Sequence, residues 1–135
     1  MTRFLLDTNA ASDFVNRRYG VFDRARREVA AGNSIGIAMP VLAEMVAGIE
    51  RSASRERNLA SLKAALAALK LWPFDPAAAF EYGRLHAELA RLGRPIGVVD
   101  TMIAAIAKTL GGCTVVTTDS DLRAVPGLNI ENWRE

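Results

Sequence analysis

Four acidic residues occupy positions where acids are not expected. Phe4-Leu5-Leu6 runs straight into Asp7-Thr8-Asn9, so an apolar segment ends on a carboxylate, a hydroxyl and an amide. Asp100 opens the stretch Val99-Asp100-Thr101-Met102-Ile103-Ala104-Ala105-Ile106-Ala107, and its helical neighbours at i+3, i+4 and i+7 are Ile103, Ala104 and Ala107. Glu44 has Ala47 and Gly48 one turn along, residues small enough to leave room for a ligand or a close chain. Asp119 follows the β-branched run Thr114 to Thr117. Taken singly, each has an ordinary reading as a helix N-cap or first-turn acid, favoured by the helix dipole.

Their chemistry changes if they converge. Carboxylates gathered in one cleft repel each other and lose hydration, so some would take up protons unless a cation is bound. Lys63, Lys70 and Lys108 are all expected on helices away from that point. Hard Mg²⁺ or Mn²⁺, as one or two ions, prefers such all-oxygen ligands. A divalent ion acidifies bound water and offsets charge on a phosphoryl oxygen, which suits phosphodiester hydrolysis without a nucleophilic side chain. The chain carries no Gly-x-Ser-x-Gly elbow, no phosphate-binding P-loop, and no cysteine with a histidine close in sequence. His86, the single histidine, reads as a packed or surface residue of a helix over 76–92, and Cys113, the single cysteine, as a small core residue.

The elements that must position these acids follow from periodicity. Short strands are expected at 3–6, 35–39, 71–74, 114–117 and from 129. Proline at 73 makes the third an edge strand. Helices are expected from a Ser12 cap to about 18, then to Ala31, at 41–51 behind Pro40, at 55–70 behind Ser54, at 76–92 behind Asp75-Pro76, at 99–110, and as a turn over 119–123. Non-alternating apolar strands separated by helices predict an α/β fold, a three-layer sandwich with a parallel sheet. Ligands bind such sheets at the carboxyl ends of the strands. Asp7 and Asp119 follow strand ends, and Glu44 and Asp100 sit near helix starts, so all four are expected at one edge.

Length and composition agree with this reading. The 135 residues suit a single domain over 1–135. Half are apolar and 24% charged, which fits a packed core, and no apolar run approaches a membrane span or a signal segment. One cysteine excludes an internal disulfide and fits a reducing cytoplasm. The net charge is +2, yet 14 arginines stand against three lysines, with Arg17, Arg18, Arg24, Arg26 and Arg27 close together. Arginine forks suit an anionic partner, either nucleic acid or an acidic protein surface.

These motifs resemble the PIN-domain nucleases, most closely the VapC-type toxins of bacterial toxin–antitoxin modules. The likeness rests on Leu5-Leu6-Asp7-Thr8-Asn9, Pro40-Val41-Leu42-Ala43-Glu44, Asp100-Thr101-Met102-Ile103-Ala104-Ala105 and Val115-Val116-Thr117-Thr118-Asp119-Ser120-Asp121-Leu122, in that order along nearly the whole chain. Val99 departs from the pattern, since many relatives carry a polar residue there. The resemblance implies a five-stranded parallel sheet. It implies metal-binding, catalytic acids at Asp7, Glu44, Asp100 and Asp119, with support from Thr8, Asn9 and Thr118 and an outer acid at Asp121. It further implies Mg²⁺- or Mn²⁺-dependent cleavage of RNA, a homodimer or larger assembly, a VapB-like antitoxin, and DNA contact only through that antitoxin. The alternatives are a PIN-fold RNA-processing nuclease that is not a toxin, and a non-catalytic domain whose acids merely cap helices. A phosphatase or phospho-receiver fits less well, because Asn9 and Thr117-Thr118-Asp119 stand where those chemistries need an aspartate and a lysine.

Overall fold

A computed structural model describes residues 1–135. Five strands form one parallel sheet: β1 (Arg3–Leu6), β2 (Ser34–Ala38), β3 (Lys70–Trp72), β4 (Cys113–Val116) and β5 (Asn129–Glu131). Their order is β3-β2-β1-β4-β5, so the first strand lies at the centre. Leu6 stands opposite Ile37 on one side and Val116 on the other. All five residues of β2 are buried, as are Leu5, Leu6, Val115 and Val116, because helices cover both faces.

The helices are α1 (Thr8–Val15), α2 (Val21–Ala30), α3 (Met39–Glu50), α4 (Arg55–Leu66), α5 (Pro76–Arg91), α6 (Val98–Leu110) and α7 (Ser120–Arg123). The α/β class and the parallel sheet are as the sequence pattern predicts. Several boundaries differ. Ser12 does not cap the first helix; Asp7 does, accepting from the Ala10 N–H at 2.8 Å, so α1 begins directly after β1. Ser54 precedes α4 without a side-chain cap, and that helix ends at Leu66. Lys70 therefore opens β3 and is not helical, although it lies at the amino end of that strand, far from the acidic edge. Pro73 falls just outside the strand. Asp75 caps α5 as expected, accepting from Ala78 N–H at 2.9 Å.

The end of the chain closes over the start. Trp133 is buried with its ring 5.0 Å from that of Phe4. Arg134 grips the buried Asp13 carboxylate of α1 through two bonds of 2.8 and 3.3 Å, and its guanidinium lies 4.4 Å from the Tyr19 ring. This pair satisfies a buried charge and pins α1. Cys113 is buried, and burial pushes its thiol up to about 11, in keeping with a core role.

Gly36 tests the sheet. A Cβ there would overlap the Lys70 carbonyl oxygen and the Trp72 ring, so β2 and β3 pair only because the position is bare. Gly36→Ala should cost about 1–3 kcal/mol, the usual range for overpacking. Thermal melts should register this as a fall of roughly 3–10 °C. Gly83→Ala, on α5 with open space around it, should leave the melting temperature level or raise it.

Candidate metal centre

Strand order reverses between β1 and β4, the point where open parallel sheets place their ligands. Asp7 leaves the end of β1 there, and Thr117 and Asp119 leave the end of β4. Asp7 is only 4% exposed. Its Oδ1 accepts from Ala10 N–H, and its Oδ2 accepts from the Thr117 hydroxyl. The Asp119 N–H donates to that same Thr117 oxygen at 2.8 Å. Burial pushes the Asp7 carboxyl above the usual range; the Thr117 and Ala10 hydrogen bonds pull it down, and the Asp119 and Asp13 charges raise it again. The acid that ends the first strand therefore both starts a helix and forms the floor of the site.

Asp100 lies in the first turn of α6, whose cap, Gly97, supplies no side chain. Its carboxyl is pushed up to about 6, first by desolvation and then by the charges of Asp119, Asp7, Asp121 and Glu44. Acids from five places in the chain thus act on one another. Asp100, Asp119 and Asp121 each bring a carboxylate oxygen to within 4.8 Å of the other two. Asp121 gets there because its N–H donates to Asp119 Oδ1 at 2.8 Å, which turns the chain back at the start of α7. Glu44 lies in the second turn of α3, not the first, and is exposed; Thr8 Oγ1 donates to its Oε1 at 2.5 Å.

Asp7, Thr8, Asn9, Glu44, Asp100 and Asp119 line one cleft of about 380 Å³, with Gly97, Val98 and Val99 as its lip. No lysine or arginine lines it. Asn9 is exposed on the rim. Thr118 is exposed, and Thr117, one residue earlier, makes the bond to Asp7. The signal for Thr117 is the register: Leu6 faces Val116, so Asp7 and Thr117 form the next rung. Asp121 does not line this cleft, yet it brings a carboxylate oxygen to the trio with Asp100 and Asp119.

The donors fit a divalent cation. An ion that bonds oxygens at roughly 2.0–2.6 Å holds pairs of them up to about 4–5 Å apart, the spread of the trio. The set is all oxygen, which selects hard ions such as Mg²⁺ or Mn²⁺.

Comparison with known proteins identifies the relatives of this chain. The family model described as PIN domain matches residues 4–128. The chain is 35% identical to the tRNA(fMet)-specific endonuclease VapC of Shigella flexneri, over 98% of this chain and 99% of that one. Among solved structures, VapBC2 from Rickettsia felis bound to a DNA fragment from its promoter superposes with a TM-score of 0.90 at 30% identity, over 98% of this chain and 99% of that one. DNA-bound VapBC from Salmonella typhimurium superposes with a TM-score of 0.89 at 34% identity and the same coverage.

The acidic strain is measurable as stability. Because the folded Asp100 carboxyl titrates near 6, above its ordinary value of 3.8, its ionisation at neutral pH opposes folding, and that cost fades as pH falls from about 6 towards 4. In EDTA at pH 7.5, Asp100→Asn should melt above wild type by about 2–5 °C, less than full burial would give, since the carboxylate is half exposed. The gap should close on acidification, and Mn²⁺ should reverse the order by stabilising wild type more. Equal melting temperatures from pH 4 to 7.5 would contradict the crowding.

Proposed function

The chain belongs to the PIN-domain family, in its VapC branch, and on that basis we propose that it is an Mg²⁺- or Mn²⁺-dependent endoribonuclease acting as the toxin of a toxin–antitoxin pair. The observation that carries the reading is the cleft at the β1–β4 switch point, where several carboxylates meet and no cationic side chain lines the wall. Asp100, Asp119 and Asp121 would hold the ion, with Asp7 beneath them. When bound, Mg²⁺ or Mn²⁺, as one ion or two, supplies a Lewis acid that acidifies water and offsets phosphoryl charge.

The chain's own residues do the positioning. Ala10 N–H and the Thr117 hydroxyl each hold one Asp7 oxygen, so that carboxylate has one orientation before substrate arrives. Each of its oxygens keeps a further lone pair for ligation. Thr8 fixes one oxygen of Glu44 and leaves the other open to a water in the cleft. This places Glu44 to take a proton from the attacking water or to hold a second ion through water. No lining serine, cysteine or histidine competes as a nucleophile.

RNA is the substrate class. The names of the relatives supply the first substrate to test, initiator tRNA, and the first partner, a VapB-like antitoxin. Contact with promoter DNA would pass through that antitoxin. A homodimer within a larger assembly, working in the cytoplasm, completes the reading; no helix is long and apolar enough to cross a membrane.

Purified protein should cleave RNA with Mn²⁺ and stop in EDTA. Asp7→Asn and Asp100→Asn should keep the circular dichroism spectrum and lose cleavage at least about a hundredfold, whereas Thr117→Val should lose roughly 10–100-fold, as outer partners of a metal site do. Inducible expression should arrest growth only with the acids intact. Near wild-type cleavage by either aspartate variant would overturn the assignment.

A further inference from the structure

A second cleft of about 380 Å³ adjoins the acidic one and shares Thr8, Asn9 and Glu44 with it. Its walls are α1, α3 and the start of α4. We infer that it receives one unpaired nucleotide beside the scissile phosphate and selects its base. This deepens the nuclease reading and rests on it.

The lining suits a nucleobase. Val15, Met45 and Ile49 offer apolar surface to a flat ring, while Ser12, Asn16, Asn58 and Ser61 offer polar groups to its edge. The amides are already oriented. Asn16 Nδ2 donates to the Ser12 carbonyl and hydroxyl oxygens at 3.0 and 3.3 Å, and Asn58 Nδ2 donates to Ser52 Oγ at 3.2 Å. Their Oδ1 atoms accept nothing within the chain, so each presents an acceptor to a base donor. A paired base would hide that edge in the narrow major groove of an RNA helix, so the occupant comes from a single-stranded loop or end.

Arg18 stands at this cleft without a carboxylate partner. Its neighbours are otherwise engaged. Arg17 lies 4.1 Å from the Phe22 ring centre, and Arg24 bridges Glu28 and Glu131. A free guanidinium suits the phosphate of the bound nucleotide.

Gly48 offers a way to probe the cleft. It lies within α3, lines the cleft, and a Cβ there would meet nothing within 4 Å. The cleft wall is therefore bare at this point, and a side chain placed there would occupy the cleft. A Cβ at this place stands clear of every other heavy atom, so substitution there need not disturb the core.

The test uses short single-stranded RNAs randomised on both sides of the cleaved bond, with Mn²⁺ and sequencing of the products. Wild type should prefer one base at one flanking position. Gly48→Leu should melt at or above the wild-type temperature, bind Mn²⁺ equally, and lose at least tenfold in kcat/KM. Asn16→Ala and Asn58→Ala should still cut but flatten the base preference at least fivefold; if Asn58→Ala melts early, Asn16→Ala decides. Arg18→Gln should raise KM alike for all sequences and lower the salt slope by about one. Unchanged kcat/KM in Gly48→Leu would overturn the subsite. So would weakened antitoxin binding with cleavage intact, which would make the cleft a peptide groove. A wild type that cuts without base preference also overturns it and leaves the nuclease reading standing. A wild type that cuts no RNA overturns both.

Discussion

Like charges repel most strongly where water is scarce, and this fold holds several of them together at the seam between β1 and β4. The tension is visible at Asp100, whose carboxyl is driven up to about 6 by burial first and then by the charges of four other acids. Neutral hydrogen bonds supply part of the restraint. Asp7 is held by a backbone amide and the Thr117 hydroxyl, Glu44 by Thr8, and Asp119 through its own N–H to Thr117. These contacts orient the carboxylates without neutralising them. The negative charge that remains is what a doubly charged ion would answer.

Parallel topology makes this arrangement economical in residues. Every strand of the sheet ends at the same edge, so side chains just past β1 and β4 become neighbours despite lying far apart in sequence. The acids of α6 and α7 arrive at helix starts, where the dipole favours them. Away from this edge the ionic contacts have a different character. Glu50, Glu28 and Glu81 pair with arginines on the surface, and their carboxyls are held below the ordinary range by hydrogen bonds from those partners. The molecule thus pairs several carboxylates with arginine elsewhere and leaves those of the cleft without such a partner.

Much of this was legible in the residues. Apolar runs at 3–6, 35–39 and 114–117, separated by helical periods, announced the parallel sheet, and the acids that followed them pointed to its carboxyl edge. What escaped depends on geometry that composition does not carry. Ser12 suits a cap by residue type, yet Asp7, directly after the strand end, is the side chain that caps the helix. Thr118 and Thr117 differ by a single step, and only the pairing register decides which one turns inward. Asp121 joins the cluster through a local turn onto Asp119, not through helical periodicity. The early arginines read as one patch, yet tertiary partners divide them, with Arg17 against Phe22, Arg24 between two glutamates, and Arg18 left in the second cleft.

The central place of β1 also has a consequence for the order of synthesis. β1 opens at Arg3, but its strand partner on one side begins 110 residues further along, at Cys113. Thr117, Asp119 and Asp121 come later still, and Trp133 and Arg134 lock the first strand and helix last. A nascent chain, or a fragment cut before residue 117, therefore carries the first acid without its companions. The acidic cluster cannot assemble until synthesis has passed Asp121.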